Sequence, residues 1–412
     1  MGERGTVGPG PGERRETYVD NGYRRTLRAC YAGYIVQAVV NNFAPLLFVN
    51  FHTTYQIPMS SITLLITLNF LLQLGVDVLS AAFVDRIGYR RAVMVAHGAA
   101  ACGLAGLAVL PELTPDPFVG LLLSVAVYAL GGGLLEVLLS PIVEALPTEN
   151  KEKTMSLLHS FYNWGTVLVV LVSTVFFALF GLERWKLMAL VWALLPLCNL
   201  FAFRTAPICA LNEDDTQGIS PGNLARMPLF WVLLVVMACA GASEQSVSQW
   251  ASTFAEQALG VDKFVGDLAG PMLFAVCMGL ARLLYGMYGE RLNLNRAMAA
   301  STLLCVVSYG VISLAPIPAL SLAGCGICGF SVGILWPGTF SIAAAALRGG
   351  GTALFAFLAL AGDLGCSLGP TFAGLVSGWA GGDLKTGILA AVVFPILLLV
   401  GIAVIDKGRE HK

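Results

Sequence analysis

The sequence predicts an all-α polytopic membrane protein with twelve transmembrane helices in two pseudo-symmetric six-helix bundles. Of its 412 residues, 57% are hydrophobic and 12% are charged, whereas soluble domains carry about 25% charged residues. The apolar runs are continuous and reach the ~20 residues that a helix needs to cross a bilayer. They are too long for the ~10-residue strands of a membrane β-barrel. A net charge of −1 gives no indication of nucleic-acid binding.

Twelve apolar segments follow a polar N-terminal stretch. Residues 1–28 are rich in Gly, Pro, Arg and Glu, so we expect a soluble tail rather than a signal peptide, and an uncleaved first span. The predicted spans are Ala29–Phe51, Met59–Phe83, Ala92–Leu110, Phe118–Pro141, Leu157–Phe180, Lys186–Phe203, Pro228–Phe254, Val265–Tyr288, Ala297–Pro316, Ala319–Ala346, Thr352–Val376 and Thr386–Ile405.

The distribution of Lys and Arg predicts the orientation of these spans. With both termini in the cytoplasm, the basic residues on the outer side are Arg184, Lys186, Lys263 and Lys385, while Arg282 lies within span 8. The other 19 of the 24 then lie on the cytoplasmic side. We therefore expect a multi-pass protein of the plasma or inner membrane, in contact with the lipid bilayer, with both termini cytoplasmic.

A long polar stretch between spans 6 and 7 divides the chain into two halves of six spans. We expect five parts: a cytoplasmic tail of residues 1–28, an N-terminal bundle of 29–204, a linker of 205–227, a C-terminal bundle of 228–406 and a tail of 407–412. Asn163 in span 5 and Asp363 in span 11 are each followed two residues later by Gly, at an offset of 200 residues. This internal repeat supports two related halves.

A charged loop is also repeated in the two halves. Asp85 and Arg86 lie between spans 2 and 3, and Glu290 and Arg291 lie 205 residues later, between spans 8 and 9. Two six-helix halves with a small-x-x-x-Asp-Arg-x-Gly-x-Arg-Arg loop resemble the major facilitator superfamily over essentially the whole chain after residue 28. The resemblance implies the major facilitator fold and alternating access. Together with two charges on the adjoining spans, the predicted cytoplasmic gate contains Asp77, Asp85, Arg86, Gly88, Arg90, Arg91, Arg282, Glu290 and Arg291.

Five charged residues lie within the spans and away from their ends, where each costs at least ~2.5 kcal/mol on insertion scales and therefore indicates a function. They are Asp77, Glu136, Glu244, Arg282 and Asp363. Polar and aromatic residues that share helix faces accompany them. The candidates for solute binding are Gln37, Asn41, Asn42, His159, Tyr162, Asn163, Gln245, Gln249, Trp250 and Trp336.

Glu136 is the preferred candidate for proton coupling, with Glu244 and Asp363 as further candidates. It follows the glycines 131–133, which allow close approach of a neighbour, and precedes Pro141, which can bend the helix. A carboxyl group here can be neutral when dry and ionised when hydrated. The alternative is a structural Glu136 bonded to Arg282 or a hydroxyl, and Asp363 can equally be a structural contact between the halves.

Four spans narrow the resemblance to the fucose permease branch of the superfamily. The matching patterns are Gly-x-x-x-Glu136-x-x-x-x-Pro141, the run from Leu158 to Gly165, the run from Gly241 to Glu244 with Trp250, and the run from Trp336 to Ser341. The branch implies sugar:proton symport. It also implies an acid in span 1, which is missing here, because no Asp or Glu occurs between Asp20 and Asp77.

The function predicted from these features is secondary active transport of a small polar solute, most simply a sugar, by proton symport. Proton-coupled efflux of an amphipathic drug or metabolite is the first alternative, and a non-transporting sensor or scaffold is the second. No nucleophile–base set, phosphate loop or metal cluster indicates an enzyme. Cys325 and Cys328 have CxxC spacing within an apolar span, which favours helix packing over a metal site. We expect a monomer without cofactor, with solute and protons as its partners.

Overall fold

The chain folds into long helices, seen in a computed structural model that describes residues 11–147, 151–208, 221–288, 293–347 and 351–410. Within these ranges, the side chains of residues 80–83, 85 and 86, among others, are not described. Twelve helical spans in the described part are long and apolar enough to cross a membrane, and this confirms the predicted number and the all-α class.

The N-terminal half consists of spans 1–6. Span 1 comprises Pro11–Asn42, a 3-10 turn Ala44–Leu47 and Phe48–Tyr55, and spans 2–6 are Met59–Ile87, Tyr89–Leu113, Pro117–Glu144, Lys151–Phe180 and Trp185–Thr205. Span 1 is interrupted where Pro45 lacks the N–H that would continue the helical ladder.

The C-terminal half consists of a short helix and spans 7–12. The short helix is Pro221–Leu224. Span 7 comprises Pro228–Ser248, Ala251–Thr253 and a π turn Phe254–Ala258, and span 8 comprises Lys263–Asp267, a π turn Leu268–Met272 and Leu273–Tyr288. Span 9 is Leu294–Leu314, and span 10 comprises Pro318–Val332 and Leu335–Ala346. Span 11 is Gly351–Trp379, and span 12 comprises Leu384–Ala390 and Val393–Glu410.

Because consecutive spans run in opposite directions, the bundle has two distinct ends. The proximal end contains the start of span 1 and the end of span 12. The distal end contains the junctions between odd spans and the even spans that follow them, such as Tyr55 to Met59 and Leu113 to Pro117.

The two halves pack mainly through spans 2 and 11, and through spans 5 and 8. The Thr67 and Thr371 hydroxyls lie 2.6 Å apart across the first of these contacts, and the Thr174 hydroxyl donates to Asp267 at 3.1 Å across the second. Small residues allow the close packing, since a Cβ on Gly374 would overlap the Thr63 hydroxyl. The interface between the halves is therefore where polar groups from both halves meet.

Candidate functional site at the interface of the two halves

An amide network from spans 1, 2 and 5 surrounds Asn41. The Asn41 Oδ1 accepts hydrogen bonds from Asn69 Nδ2 at 3.1 Å and from Gln73 Nε2 at 2.7 Å, and its Nδ2 donates to the Tyr162 hydroxyl at 3.3 Å. Asn41, Asn69 and Gln73 are all buried. Asn42, on the adjacent face, donates to the Thr166 hydroxyl at 3.3 Å. Hydrogen bonds between these buried amides hold their side chains in place and give the apolar bundle a polar surface.

A backbone carbonyl that lacks its helical hydrogen-bond donor, because of a proline, connects this network to the other half. Pro45 has no N–H, so the Asn41 carbonyl four residues earlier lacks its helical donor. The Gln249 Nε2 of span 7 donates to that carbonyl at 3.2 Å and to Gln245 Oε1 at 3.1 Å. Gln245 and Gln249 therefore share one face of span 7, as their spacing predicts, and that face meets span 1.

Arg282 repeats this arrangement on span 8. Pro337 leaves the Gly333 carbonyl of span 10 without a helical donor, and Arg282 Nε donates to it at 3.2 Å. The guanidinium also donates to Asn163 Oδ1 of the N-terminal half at 3.2 Å and lies 3.5 Å from the Glu244 carboxylate. Arg282 is six residues from the end of its helix. The structure thus places Arg282 in the polar network between the halves, and its role in a cytoplasmic gate stays a prediction.

Glu136 contacts span 1, and two other carboxyl groups lie close to it. Gln37 Nε2 donates to Glu136 Oε2 at 2.7 Å. Asp77 of span 2 and Asp363 of span 11 face each other across the interface between the halves, and both are close enough to Glu136 to interact with it electrostatically. Asp77 lies ten residues before the end of its helix. Three carboxyl groups, two of which we predicted as coupling residues, therefore meet at the interface.

The glycines before Glu136 allow neighbouring spans to approach. A Cβ on Gly131 would lie 2.6 Å from the Ala100 nitrogen of span 3, and one on Gly133 would lie 2.8 Å from the Gln73 Cα of span 2. A Cβ on Gly132 would lie 2.9 Å from a Val40 methyl group of span 1. Span 4 is thus held against three helices at the turn that carries Glu136, as the glycine run predicted.

The predicted aromatic residues occupy different environments. Trp250 is 1% exposed, donates from Nε1 to the Pro370 carbonyl at 2.9 Å and packs on Phe48. Trp336 is half-buried against span 11, where a Cβ on Gly362 would overlap its ring. Of these aromatic residues, Tyr162 bonds the amide network through its hydroxyl, Trp336 packs on span 11, and Trp250 packs on Phe48 of span 1 and on span 11.

His159 lies on the proximal side of this region. Its ring is exposed and makes an edge contact with Tyr34, whose hydroxyl lies 2.9 Å from that of Ser140. These groups lie further toward the proximal end than the amide network. The position fits a residue at an entrance rather than one in the centre of the site.

A narrow pocket lies beside the amide network, between spans 1, 2, 4 and 7. Its polar lining consists of Asn41, Asn69, Tyr128 and Gln249, and it has room for about one group of water or hydroxyl size. The Asn69 Oδ1 is buried and accepts no hydrogen bond from the described residues. The pocket therefore offers an acceptor to a ligand that carries a hydrogen-bond donor.

An ionic cluster that we did not predict closes the distal end. Lys263 Nζ bonds the Glu256 carboxylate at 2.9 Å and lies 3.2 Å from Asp267, which is fully buried. Lys263 also donates to the Leu46 carbonyl of the opposite half at 2.6 Å. We name Glu256, Lys263 and Asp267 the distal cluster. The i,i+4 spacing of Lys263 and Asp267 could have indicated it, but charges at span ends are usually solvated.

The predicted gate loop is described only in part. Gly88 has a φ of +81°, which favours glycine, and Arg90 Nη1 donates to the Phe203 and Arg204 carbonyls at 2.8 and 2.9 Å, where it caps the end of span 6. Arg91 is exposed. The side chains of Asp85 and Arg86, and all of Glu290 and Arg291, lie outside the described residues.

The chain belongs to the Major Facilitator Superfamily, whose family model matches residues 30–370. It is thus a multi-pass membrane protein of a family of transporters. No curated protein matches its sequence.

Several solved transporters share the fold at low sequence identity. A bacterial homolog of the human lysosomal transporter Spinster, in an inward-facing and occupied conformation, has a TM-score of 0.73 at 15% identity, covering 93% of this chain and 97% of that chain. The nucleoside transporter NupG, in a point-mutant form, has a TM-score of 0.73 at 14% identity, with 92% and 99% covered. The E. coli fucose:proton symporter FucP, also a point mutant, has a TM-score of 0.62 at 15% identity, with 92% and 98% covered.

Proposed function

We propose that this transporter moves a small, neutral, hydroxyl-bearing solute, such as a sugar or a nucleoside, by proton symport with alternating access. The observation that carries this proposal is the amide network, which draws Asn41, Asn69 and Gln73 from one half and Gln245 and Gln249 from the other. Amide side chains supply both donors and acceptors without charge, which matches a solute hydroxyl group. Solute bound here touches both halves and can control their relative movement.

The Asn69 Oδ1, which no described residue donates to, supports the same class of solute. A buried acceptor without a donor costs about 1–3 kcal/mol, so a ligand donor that reaches it gains affinity. The pocket beside it accepts one hydroxyl-sized group. Tyr162, whose hydroxyl bonds Asn41, supplies a flat apolar face for the C–H face of a sugar or for a base, and Trp336 is a further candidate. The structural relatives FucP and NupG, a fucose symporter and a nucleoside transporter, give these two solute classes precedence in a screen.

Glu136 is the proposed coupling residue. It lies beside Gln37 in the N-terminal half and interacts electrostatically with Asp363 of the C-terminal half. A proton on this group changes the electrostatic interaction between the halves, so proton binding and conformation are linked. The missing acid in span 1 leaves Glu136 with an amide partner instead of a second carboxyl group.

Transport in proteoliposomes tests this proposal. A thermal-shift screen of sugars and nucleosides first identifies a solute that stabilises the purified protein. An inward proton gradient should then drive uphill uptake of that solute, labelled. We expect Glu136→Gln to abolish uphill uptake while leaving solute exchange intact, since the amide cannot release a proton. The matched control is Glu112→Gln, because Glu112 pairs with Lys186 at the surface. Uphill uptake that survives in Glu136→Gln removes Glu136 as the coupling residue.

Efflux of an amphipathic cation is the second candidate, and one observation favours it. The three carboxyl groups of Asp77, Glu136 and Asp363 lie together, whereas Arg282 is paired with Glu244. A cationic solute would compensate this negative charge. Proton-driven loss of a cationic dye, without uptake of any neutral solute, would support this candidate. No transport of either class would support a sensor or scaffold.

A further inference from the structure

The Gln37 side chain carries an acceptor that the described residues leave unsatisfied. Gln37 is 3% exposed, and its Nε2 donates to Glu136 Oε2 at 2.7 Å. Its Oε1 accepts no hydrogen bond from the described residues. In a planar amide, one of the two Nε2 hydrogens lies on the same edge of the group as Oε1, so a carboxyl group that accepts this hydrogen can also reach Oε1. An ionised Glu136 has no hydrogen to donate to that oxygen.

A proton on Glu136 would satisfy both groups at once. In a cyclic acid–amide pair, the amide N–H donates to one carboxyl oxygen while the carboxyl O–H donates to the amide oxygen. The observed Nε2–Oε2 bond supplies the first half of that ring. Gln37 Oε1, which accepts no hydrogen bond from the described part of the chain, is the acceptor that the second half requires. Leaving a buried acceptor without a donor is unfavourable, because the group has lost its hydrogen bonds to water.

The surroundings of Glu136 also favour a bound proton. The titratable groups that interact with it are Asp77 of span 2, Asp363 and Cys366 of span 11, and the hydroxyls of Tyr34 in span 1 and Tyr162 in span 5. Three carboxyl groups in mutual range cannot all be ionised at low cost. The part of the chain that the structure describes places no three acid, His or Cys side chains in a metal-binding arrangement. A proton is therefore the ligand that fits.

We propose that Gln37 and Glu136 form a proton-binding acid–amide pair, in which Gln37 is the positioning residue that holds the coupling proton on Glu136. The step is a simple protonation: a hydronium ion from the aqueous phase breaks one O–H bond and leaves as water, the proton forms an O–H bond on the Glu136 carboxylate, and that O–H donates to Gln37 Oε1. Nothing is oxidised or reduced. The proposal rests on proton coupling through Glu136, and it explains how one acid in span 4 works with an amide in span 1.

Infrared difference spectroscopy of the purified protein tests the pair without any solute. In the unmodified chain, we expect a protonated-carboxyl carbonyl band that disappears in Glu136→Gln. In Gln37→Met, which keeps the side-chain length and removes the amide, the same band should move to higher wavenumber because its carbonyl loses the N–H donor. The matched control is Gln73→Met, since Gln73 is equally buried but bonds Asn41. The control should leave the band in place.

A second measurement needs no substitution at Gln37, in case Gln37→Met does not fold. With side-chain carbonyls of Gln labelled with ¹³C, raising the pH should shift a Gln amide carbonyl band to higher wavenumber, since the Glu136 O–H donor is lost, and this shift should be missing in Glu136→Gln. The absence of any carboxyl band assigned to Glu136, or a band that Gln37→Met leaves unmoved, would overturn the proposal. If the bands behave as expected but no gradient drives uptake in proteoliposomes, the transport proposal fails and the acid–amide pair stands.

Discussion

Single prolines determine where polar chemistry occurs in these spans. Pro45 and Pro337 each remove a backbone donor, and the carbonyls that they free, of Asn41 and Gly333, accept from side chains of other spans. In a bilayer, a free backbone carbonyl must find a partner inside the protein. Each proline thereby creates a tertiary contact four residues before itself, at a place where the sequence also carries polar side chains.

A capping residue outside the spans gives a pH-dependent prediction. Asp383 precedes span 12, and its carboxylate accepts from the Thr386 hydroxyl at 2.5 Å and from the backbone N–H groups of Lys385 and Thr386 at 3.0 and 3.2 Å. The bond from the Thr386 hydroxyl contributes most, and the bonds from the backbone N–H groups contribute less. Together they hold the pKa of Asp383 below its ordinary value. The native state thus favours the carboxylate over the acid.

We expect Asp383→Ala to lower the free energy of unfolding by about 1 kcal/mol at neutral pH, a typical value for an N-cap. Because the native pKa is depressed, this contribution is fully present above the ordinary Asp pKa of about 3.9 and is lost as the pH falls through the lower native value. Thermal unfolding of the two proteins at a series of pH values measures the difference. Asp383→Asn should retain most of the stability, since its side-chain amide oxygen can also cap the N-terminus of the helix. Equal losses of unfolding free energy in Asp383→Ala and Asp383→Asn would contradict the capping role.

Helix packing explains why the elements lie where they do. Spans 7 and 11 approach so closely that a Cβ on Gly365 would overlap the Ala238 carbonyl oxygen. The same contact positions Asp363, two residues earlier, and Glu244, six residues later on span 7. Without a hydrophobic force between helices in lipid, small residues that permit such contacts supply much of the association energy.

Gly365→Ala should therefore destabilise the protein by roughly 1–3 kcal/mol, because the added methyl group meets backbone that cannot rotate away. The matched control is Gly279→Ala on span 8, where an added Cβ meets nothing within 4 Å. We expect the control to unfold at or slightly above the temperature of the unmodified protein, since Ala is favoured over Gly inside a helix. The measurement is thermal unfolding of detergent-purified protein. A Gly365→Ala variant as stable as Gly279→Ala would show that this contact is looser than the structure indicates.

The whole molecule is held in one arrangement by contacts near its distal end. Lys263 of the distal cluster donates to the Leu46 carbonyl across the halves, and Thr174 donates to the buried Asp267. Trp250 and Phe48 pack beside them. Alternating access requires that these contacts form and break, so the distal cluster is expected to set how often the distal end opens.

Lys263→Met should shift the molecule toward the arrangement in which the distal end is open. The substitution leaves Asp267 buried without its cation, and breaking a buried ion pair in this way costs about 3–5 kcal/mol. An open distal end would return that carboxylate to water. Hydrogen exchange of backbone amides in residues 251–258 should therefore become faster than in the unmodified protein.

The control for this prediction is Lys186→Met, which breaks the exposed pair with Glu112 at the same end but within one half. Solvent screens such an exposed pair and its contribution is small, so the exchange rates should stay unchanged. Equal exchange in the Lys263 variant and in the control would mean that the distal cluster does not hold the halves together.

The sequence by itself determined the number of spans and the family, because apolar length and a charged loop are local properties of the chain. It also indicated Glu136, since a carboxyl group within an apolar span is costly wherever that span packs.

Only the tertiary structure decided the partners. Gln37 meets Glu136 from 99 residues away, and Arg282 bridges Asn163 and Glu244 between the halves. The distal cluster escaped prediction for the same reason. Whether a charge near a helix end is solvated or buried depends on the helices that pack against it, and that information is absent from local sequence.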